Sequence, residues 1–395
     1  MKSYIIRVLV SIISLVIPTK KGLFIFGSWF GHKYGDNSRA IFEYMSLNKK
    51  EDIYWFTHNK QIASRITQDG NKCIYGSGFK NILLHLRAEA VFCNCSANSD
   101  LMGVFLNRKT KVFNLWHGTP MKKIGKDAIN NNISSNKLGV SKQSFVYKLL
   151  KKCMPGVIYS FFKHDTYYLA SSEIVSDILQ SAMGIEREKI IICGYPKLDK
   201  CFNVHKRKSI NVLYAPTYRG DYNSELDILS MFGFDMDKAD KILKDNDAQL
   251  TIRLHPANKL PENITKKIKE KNCIFIDEVE DVYDTLHTYS LVITDFSSIY
   301  FDAIAVGINA LIAPFGYQEY VNNDRDLYFK ISELYPSEMP YDWDAFFNNF
   351  THYISMNNID FTSIRDKFYS HPFTPSSAHL TNLIYLILYK GSGNE

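Results

Sequence analysis

The chain has 395 residues, 46% apolar and 22% charged, which is typical of a globular protein with a sizeable core and argues against a disordered chain. Its net charge of +6 suits an anionic substrate or an anionic membrane surface, but is too small for this length to indicate a nucleic-acid partner. The seven cysteines are odd in number and scattered, which argues against a disulfide framework and a zinc site and favours a reducing, cytoplasmic compartment.

The N-terminal segment is strongly apolar over residues 4–17. About fourteen residues are too few for a membrane-spanning helix, which needs roughly twenty, and no small-residue cleavage site follows them. On a helix, the polar side chains would form one narrow stripe of Ser3, Arg7, Ser11 and Ser14. We predict an uncleaved amphipathic helix over residues 1–20, which either lies on a membrane or docks onto the body of the protein.

Short apolar runs then alternate with helical patterns in two series. The predicted strands are residues 23–26, 53–56, 90–93, 112–116, 167–170 and 190–192 in the first series, and 212–215, 250–254, 273–276, 291–294 and 310–313 in the second. Such alternation predicts parallel sheets with right-handed crossovers, hence two doubly wound α/β domains. We assign residues 21–200 to the first and 201–372 to the second. Residues 373–395 form a helix and tail that could pack back on the first domain.

Polar clusters follow four of these strands. They are residues 116–120 (WHGTP), 216–219 (PTYR), 253–256 (RLHP) and 294–298 (TDFSS). Because ligands of open parallel sheets bind outside the carboxyl ends of the strands, we expect these clusters to meet in a cleft between the domains.

The cluster at 294–298 leads into a predicted helix over residues 299–306. Small hydroxyl residues and free N–H groups at a helix start favour an anion there, but Ser297 or Ser298 could equally be an ordinary N-cap. His117, beside a glycine that permits close approach, and His255 could be functional or structural. Arg219 could clamp a phosphate or pair with a surface acid. Together they would suit a pyrophosphate and a transferable phosphoryl group.

Two further patterns stay open. Asp235 and Asp237 form a DxD, which could hold a metal but lies in a stretch that is typical of a solvated loop. Residues 141–154 have an apolar helical face opposite Lys148, Lys151 and Lys152. This pattern fits either a helix on anionic lipid or a surface helix that faces the core.

Several segments, in order, resemble the bacterial CDP-glycerol glycerophosphotransferases of teichoic acid synthesis. Residues 115–125 (LWHGTPMKKIG) resemble WHGTPLKKIG, 214–219 (YAPTYR) resemble YAPTWR, 253–256 are RLHP, and 291–302 (LVITDFSSIYFD) resemble ITDYSSVxFD. Residues 194–199 (GYPKLD) and 34–37 (YGDN) are similar to two further family segments. Tyr218, Phe296 and Lys197 replace the usual Trp, Tyr and Arg, and Phe296 lacks the phenol hydroxyl.

The resemblance implies a GT-B fold, with two Rossmann-like domains and the donor in the cleft, mostly on the C-terminal one. It implies transfer of glycerol phosphate from CDP-glycerol to a hydroxyl of a lipid-linked acceptor of the undecaprenyl-diphosphate type, with release of CMP. The enzyme would be peripheral at the cytoplasmic face of the cell membrane, contacted through Arg7, Lys148, Lys151 and Lys152. No metal ligand set or cofactor is evident, and dependence on a divalent cation is left open.

Residue roles follow from the same resemblance. His117 and His255 would be the key histidines, with His117 as the base and His255 stabilising the pyrophosphate or the leaving CMP. Asp127 would orient His117. The donor phosphates would be held by Thr217, Arg219, Arg253, Asp295, Ser297 and Ser298.

Two alternatives share these features. A GT-B enzyme could use CDP-ribitol or a nucleotide sugar for capsule or wall polysaccharide, since pocket residues decide the donor. A non-catalytic membrane scaffold is the other alternative, but it leaves the paired histidines unexplained.

Overall fold

A computed structural model describes residues 2–48, 50–129, 164–202, 209–220, 224–255, 258–323, 326–335, 337–355, 359–371 and 374–389. It confirms an α/β protein with parallel sheets. One sheet has seven strands and the other has five, and every pair of neighbouring strands in them is parallel.

The first sheet has the strand order β3-β2-β1-β4-β5-β6-β7. Its strands are β1 (Lys20–Phe26), β2 (Asp52–Thr57), β3 (Lys72–Tyr75), β4 (Ala88–Cys93), β5 (Lys111–Asn114), β6 (Asp165–Ala170) and β7 (Ile190–Ile192). Its helices are α1 (Lys2–Ile13), α2 (Asp36–Asn48), α3 (Lys60–Gln68), α4 (Phe79–Arg87), α5 (Ala97–Asp100), α6 (Gly125–Ile129) and α7 (Glu173–Met183).

The second sheet has the order β12-β10-β8-β13-β14, with a separate pair β9-β11. Its strands are β8 (Ile210–Tyr214), β9 (Ser224–Glu225), β10 (Ala248–Ile252), β11 (Asn258–Lys259), β12 (Ile274–Ile276), β13 (Leu291–Thr294) and β14 (Asn309–Ile312). The helices are α8 (Met236–Asp245), α9 (Glu262–Lys269), α10 (Ile299–Ala305), α11 (Tyr317–Asn323), α12 (Ile331–Leu334), α13 (Trp343–Asn348), α14 (Phe350–Ile354), α15 (Thr362–Phe368) and α16 (Ser377–Tyr389).

The central strands are apolar because helices cover both faces of each sheet. Leu23 to Phe26 in β1 and all of β13 are buried. In the first sheet, the rings of Phe26, Phe92 and Phe113 stack across β1, β4 and β5, with centroids 4.2 and 5.1 Å apart. Continuous apolar sequences of this kind are typical of parallel strands that are buried on both faces of the sheet.

Both sheets reverse their strand order beside their first strand. The reversal lies between β1 and β4 in the first sheet, and between β8 and β13 in the second. In doubly wound sheets this point opens a crevice at the carboxyl ends of the strands, where ligands bind. The loops that follow β1, β4, β8 and β13 are therefore where a site is expected.

Helix α1 docks onto the first sheet through its polar side. Ser11 and Ser14 are buried, and Arg7 donates a 2.5 Å hydrogen bond from Nη2 to Oδ1 of Asn98. The outward side is apolar, with Leu9 and Ile12 each 53% exposed, and Val16 just after the helix is 79% exposed. Asn98 thus engages the guanidinium of Arg7, and the predicted membrane contact of Arg7 stays a prediction. No described helix is both long and apolar enough to cross a bilayer.

The predicted basic helix at 141–154, with Lys148, Lys151 and Lys152, lies outside the described residues. The cysteines that the structure describes are all free thiols.

The C-terminal helix α16 packs on the first sheet through the segment 194–199. Asp199 accepts hydrogen bonds from the backbone N–H groups of Ser376 and Ser377 at 2.7 and 2.8 Å, at the start of the helix. A Cβ on Gly194 would lie 2.1 Å from Ser376 Oγ, so glycine is needed there. Gly194 and Asp199 thus hold the start of α16 against the segment 194–199.

We predict that Asp199→Ala lowers the free energy of unfolding by about 2 kcal/mol, because two charge-assisted hydrogen bonds at a helix N-terminus are lost. Urea denaturation of the whole chain measures this change. Asp342→Ala removes a comparable but exposed cap on α13, where Asp342 accepts from Ala345 N, and should cost clearly less. Equal losses in the two variants would contradict the fastening role.

Candidate active site

A cavity of about 380 Å³ lies between the carboxyl ends of the two sheets. The first sheet and its loops contribute Trp29, Lys33, Gly35, Asp36, residues 116–122 and Ile124, and the second contributes Ala215, Pro216, residues 253–255, residues 280–283 and residues 297–299. Both predicted histidines line this one cavity, so the convergence expected from the sequence is confirmed.

His117 is presented by a strained turn after β5. Trp116 has φ 55°, a left-handed conformation that is costly for a bulky residue. The carbonyl oxygen of Trp116 accepts from Nδ2 of Asn37 and of Asn94, at 3.2 and 3.0 Å, which holds the turn. Gly118 follows with φ 150°, and a Cβ there would lie 2.7 Å from Ser298 Oγ. The turn therefore brings His117 against the second sheet.

The protonation of His117 follows from its partner. Its Nδ1 lies 3.3 Å from the carbonyl oxygen of Asn94. A carbonyl oxygen can only accept, so Nδ1 carries the proton and Nε2 keeps a free lone pair. Burial lowers the pKa of His117 to about 4. The ring is therefore a neutral imidazole near pH 7 with Nε2 available as a proton acceptor.

Asp127 does not orient His117, so that prediction is wrong. Its carboxylate accepts from Ser181 Oγ at 2.9 Å and from Tyr328 Oη at 2.7 Å, away from the cavity lining. Asp127 instead ties α6 to α7 and to the segment beyond α11.

His255 enters the cavity from the loop after β10. Its ring lies 5.5 Å from that of Tyr218, between centroids. Burial, and then the nearby charges of Lys122 and Lys33, lower its pKa to about 4. These two lysines thus stand close to the ring, and both line the cavity.

Ser297 and Ser298 line the cavity at the start of α10. Ser298 precedes the helix but makes no side-chain capping hydrogen bond. The ordinary N-cap interpretation is therefore not supported for Ser298. The Ser298 hydroxyl instead lies close to Gly118 of the other sheet's loop.

The remaining predicted phosphate ligands divide into two groups. Arg253 lines the cavity, although its Nη1 also donates to Asp277 Oδ2 at 2.6 Å. Thr217, Arg219 and Asp295 do not line it.

These three residues bind one another, and their predicted contact with phosphate stays a prediction. Arg219 Nη2 donates to Asp295 Oδ2 at 2.9 Å and to the carbonyl of Phe315 at 2.7 Å. Asp295 Oδ1 accepts from the N–H of Thr217 at 2.7 Å. This buried network braces the loops after β8 and β13 behind the cavity wall.

Sequence reasoning missed five charged residues of the cavity, which are Lys33, Asp36, Lys122, Glu280 and Asp281. Lys33 and Lys122 are the cations near His255, and both lie in or beside segments that carried the family resemblance. Asp36 begins α2 with φ 64°, and burial raises its pKa to about 7. Its Oδ2 accepts from Trp29 Nε1 at 3.3 Å. Only the folded chain shows that these side chains line the same cavity as the histidines.

In the part of the chain that the structure describes, no group of three His, Cys, Asp or Glu residues could hold a metal ion. The DxD is a helix start: Asp235 caps α8 by accepting from the N–H groups of Asp237 and Lys238, each at 3.0 Å. The predicted loop there is wrong, because α8 begins at Met236.

Comparison with known proteins gives one consistent result. Residues 9–386 match the family described as CDP-Glycerol:Poly(glycerophosphate) glycerophosphotransferase. A teichoic acid glycerol-phosphate transferase of Staphylococcus aureus (strain NCTC 8325 / PS 47) is 27% identical over 304 residues, which are 71% of this chain and 71% of that protein. A teichoic acid poly(glycerol phosphate) polymerase of Bacillus spizizenii is 24% identical over 363 residues, 86% of each chain.

A solved structure gives the same fold. The wall teichoic acid polymerase TagF, soaked with CDPG, superposes with a TM-score of 0.74 at 18% identity, covering 98% of this chain and 94% of that chain.

We predict that His117 and His255 stay neutral down to about pH 5, because burial lowers their pKa values from 6.5 to about 4. Nitrogen-15 NMR of histidine-labelled protein, assigned with His117→Gln and His255→Gln, measures both. His117 should show a protonated Nδ1 and a bare Nε2. A pKa near 6.5, or a proton on Nε2, would contradict the geometry described here.

Proposed function

The chain belongs to the CDP-glycerol:poly(glycerophosphate) glycerophosphotransferase family, and from this premise we propose that it transfers glycerol phosphate from CDP-glycerol to a hydroxyl of a lipid-linked acceptor, releasing CMP, in teichoic acid synthesis. The observation that carries the proposal is the single cavity lined by His117 from one sheet and by His255, Ser297 and Ser298 from the other. A base and an anion site on opposite walls are what phosphoryl transfer between two substrates requires.

The proposed reaction begins at His117. Nε2 accepts the proton of the acceptor hydroxyl as its oxygen attacks the phosphorus that bears glycerol. A new P–O bond forms, the bridging P–O bond of the diphosphate breaks, and CMP leaves with that electron pair. A low histidine pKa keeps the base unprotonated, although it also makes the base weaker.

His255 would act at the other side of the phosphorus, by a hydrogen bond to the diphosphate or the leaving CMP. In the free protein its ring is neutral, since burial and two lysines lower its pKa. A bound diphosphate would raise that pKa, because opposite charges nearby favour the protonated form. The donor itself would thus help to charge His255.

The donor phosphates are proposed to bind Ser297, Ser298 and Arg253, with Lys33 and Lys122 on the facing wall. Both serines line the cavity, and Ser298 makes no side-chain capping hydrogen bond at the start of α10. Cations placed before the substrate arrives stabilise charge that shifts toward the leaving group.

The fold arrangement proposed for this reaction is GT-B, with an acceptor-side domain over residues 21–200 and a donor-side domain over residues 201–372. Supporting it are two sheets with the same doubly wound order, facing one cavity at their points of strand reversal.

We also propose that α1 seats the enzyme on the cytoplasmic face of the membrane, near a lipid-linked acceptor. A helix on a protein surface ordinarily turns its polar side outward. Here the polar side is buried and Leu9, Ile12, Leu15 and Val16 are 53–79% exposed. An outward apolar face suits the boundary between headgroups and acyl chains.

We predict that His117→Ala and His255→Ala each lower the rate of CMP release from CDP-glycerol by roughly 100-fold or more, because proton transfer or charge stabilisation is lost. A chromatographic assay with a lipid-linked disaccharide measures CMP. His352→Ala, on the surface helix α14, is the matched control and should keep full activity.

Near-normal CMP release in both histidine variants would defeat the assignment. A donor panel run beside it tests the donor: strong preference for CDP-ribitol or a UDP-sugar would replace CDP-glycerol.

We predict that the triple variant Leu9→Ser/Ile12→Ser/Val16→Ser binds vesicles containing phosphatidylglycerol roughly tenfold or more weakly, because less apolar surface enters the bilayer. Vesicle co-sedimentation measures binding. Leu47→Ser is the control, since Leu47 is 81% exposed but lies at the end of α2. Unchanged binding of the triple variant would refute the role of α1.

A further inference from the structure

The ammonium group of Lys197 is buried behind the cavity, in the segment that follows β7. The side chain is 1% exposed. Nζ donates to the carbonyl of His117 at 3.0 Å, to Tyr283 Oη at 2.6 Å and to Asp302 Oδ2 at 3.0 Å. A lysine ammonium has three N–H donors, so all of them are used.

These three acceptors come from different parts of the molecule. His117 belongs to the turn after β5 of the first sheet, whereas Tyr283 and Asp302 belong to the second. Asp302 lies in α10 and its N–H donates to the carbonyl of Ser298 at 3.3 Å. Its second carboxylate oxygen accepts from Tyr369 Oη at 2.7 Å. One ammonium therefore links the His117 turn to the helix that begins after Ser298.

The turn that Lys197 contacts is the strained one. Three consecutive carbonyl oxygens in it accept side-chain hydrogen bonds: those of Leu115 and Trp116 from Asn37, and that of His117 from Lys197. The N–H of Lys197 also donates to Asn37 Oδ1, at 3.1 Å. Asn37 lies in α2, which packs on the first sheet, whereas the Lys197 ammonium also bonds Tyr283 and Asp302 of the second domain.

Lys197 is buried behind the cavity lining, and all its donors are used within the protein, so its ammonium acts on the site through the residues it bonds. The turn it holds is nevertheless in close contact with the donor side: a Cβ on Gly118 would be 2.7 Å from Ser298 Oγ and 3.7 Å from Lys197 Nζ. Small changes in this packing would change the distance between the base and the phosphate ligands.

We propose that Lys197 is a positioning residue for the transfer reaction: by bonding the His117 carbonyl and Asp302 at once, it fixes the base relative to Ser298 across the two sheets. The inference rests on the proposed function and deepens it, because it names the residue that holds the two halves of the site together. Asp302 and Tyr283 accept hydrogen bonds from Lys197, and Tyr369 donates to the other carboxylate oxygen of Asp302.

A purely structural ion pair is the competing explanation. Removing one partner of a buried pair leaves an uncompensated charge, which destabilises the fold by itself. The double variant Lys197→Met/Asp302→Asn separates the two cases, since it removes both charges of the 3.0 Å pair and leaves only Asp36, 3.9 Å from Nζ. A structural pair predicts recovery of stability and activity together, whereas a positioning role predicts recovery of stability alone.

The test compares Lys197→Met, Lys197→Arg, the double variant and the control Lys200→Met. Lys200 is in the same segment and also pairs with both halves of the molecule, through Glu43 and Asp284, but does not contact His117. Thermal midpoint, kcat for CMP release and KM for CDP-glycerol are measured for each variant.

We expect kcat of Lys197→Met to fall roughly 100-fold with KM within roughly threefold, since a misplaced group slows chemistry more than binding. Lys197→Arg should recover to within roughly tenfold of the wild type. The double variant should regain the thermal midpoint but not kcat, and Lys200→Met should match the wild type. A double variant with wild-type kcat would overturn the proposal.

A second readout does not depend on turnover. The Lys197 charge lowers the pKa of His117, so histidine NMR should show that pKa rise in Lys197→Met and stay unchanged in Lys200→Met. An unmoved His117 pKa in Lys197→Met would overturn the inference even if CDP-glycerol proved not to be the donor. Failure of the wild type to release CMP would defeat the proposed function alone.

Discussion

The buried ammonium–carboxylate contact between Lys197 and Asp302 is the constraint on which the arrangement of the two sheets depends. Burying each ion costs several kcal/mol, and the structure offsets this cost by bonding every donor of Lys197 and both oxygens of Asp302. Two half-exposed ion pairs support it at the interface, Arg39 with Asp284 and Lys123 with Asp326, each at 2.6 Å. Because an unpaired buried charge is so unfavourable, loss of either partner while the other stays buried would be strongly destabilising.

The chemistry follows from where this constraint places His117. A base held by a carboxylate would have a raised pKa, whereas a carbonyl fixes the tautomer without adding a negative charge. Asn94 therefore sets which nitrogen is free, and burial keeps the ring neutral. Lys122 lowers the pKa of both histidines, whereas the charge of Lys33 lowers that of His255. The two histidines thus have different surroundings, as expected if one accepts a proton and the other faces phosphate.

Much of the fold was predictable, because buried parallel strands carry continuous apolar runs. The strands at residues 190–192 and 291–294 were predicted at their observed bounds. Strand β3 was missed, since it is a short edge strand in which only Ile74 is buried. Within the site, sequence reasoning found His117, His255, Arg253, Ser297 and Ser298. It could not show that Arg219 pairs with Asp295 or Arg253 with Asp277, because tertiary packing decides which carboxylate a cation at a strand end meets. For the same reason the sequence did not show that Asp127 bonds Ser181 and Tyr328, or that α1 buries its polar side.

The central claim is that the donor diphosphate lies between Ser297, Ser298 and His255, with His117 Nε2 facing it from the other sheet. A crystal structure with a CDP-glycerol analogue whose bridging oxygen is replaced by methylene tests this most directly. The account predicts phosphate oxygens within hydrogen-bond distance of both serine hydroxyls, and the glycerol-bearing phosphorus on the His117 side. A diphosphate bound at Arg219 and Thr217 instead, or outside the cavity, would contradict it.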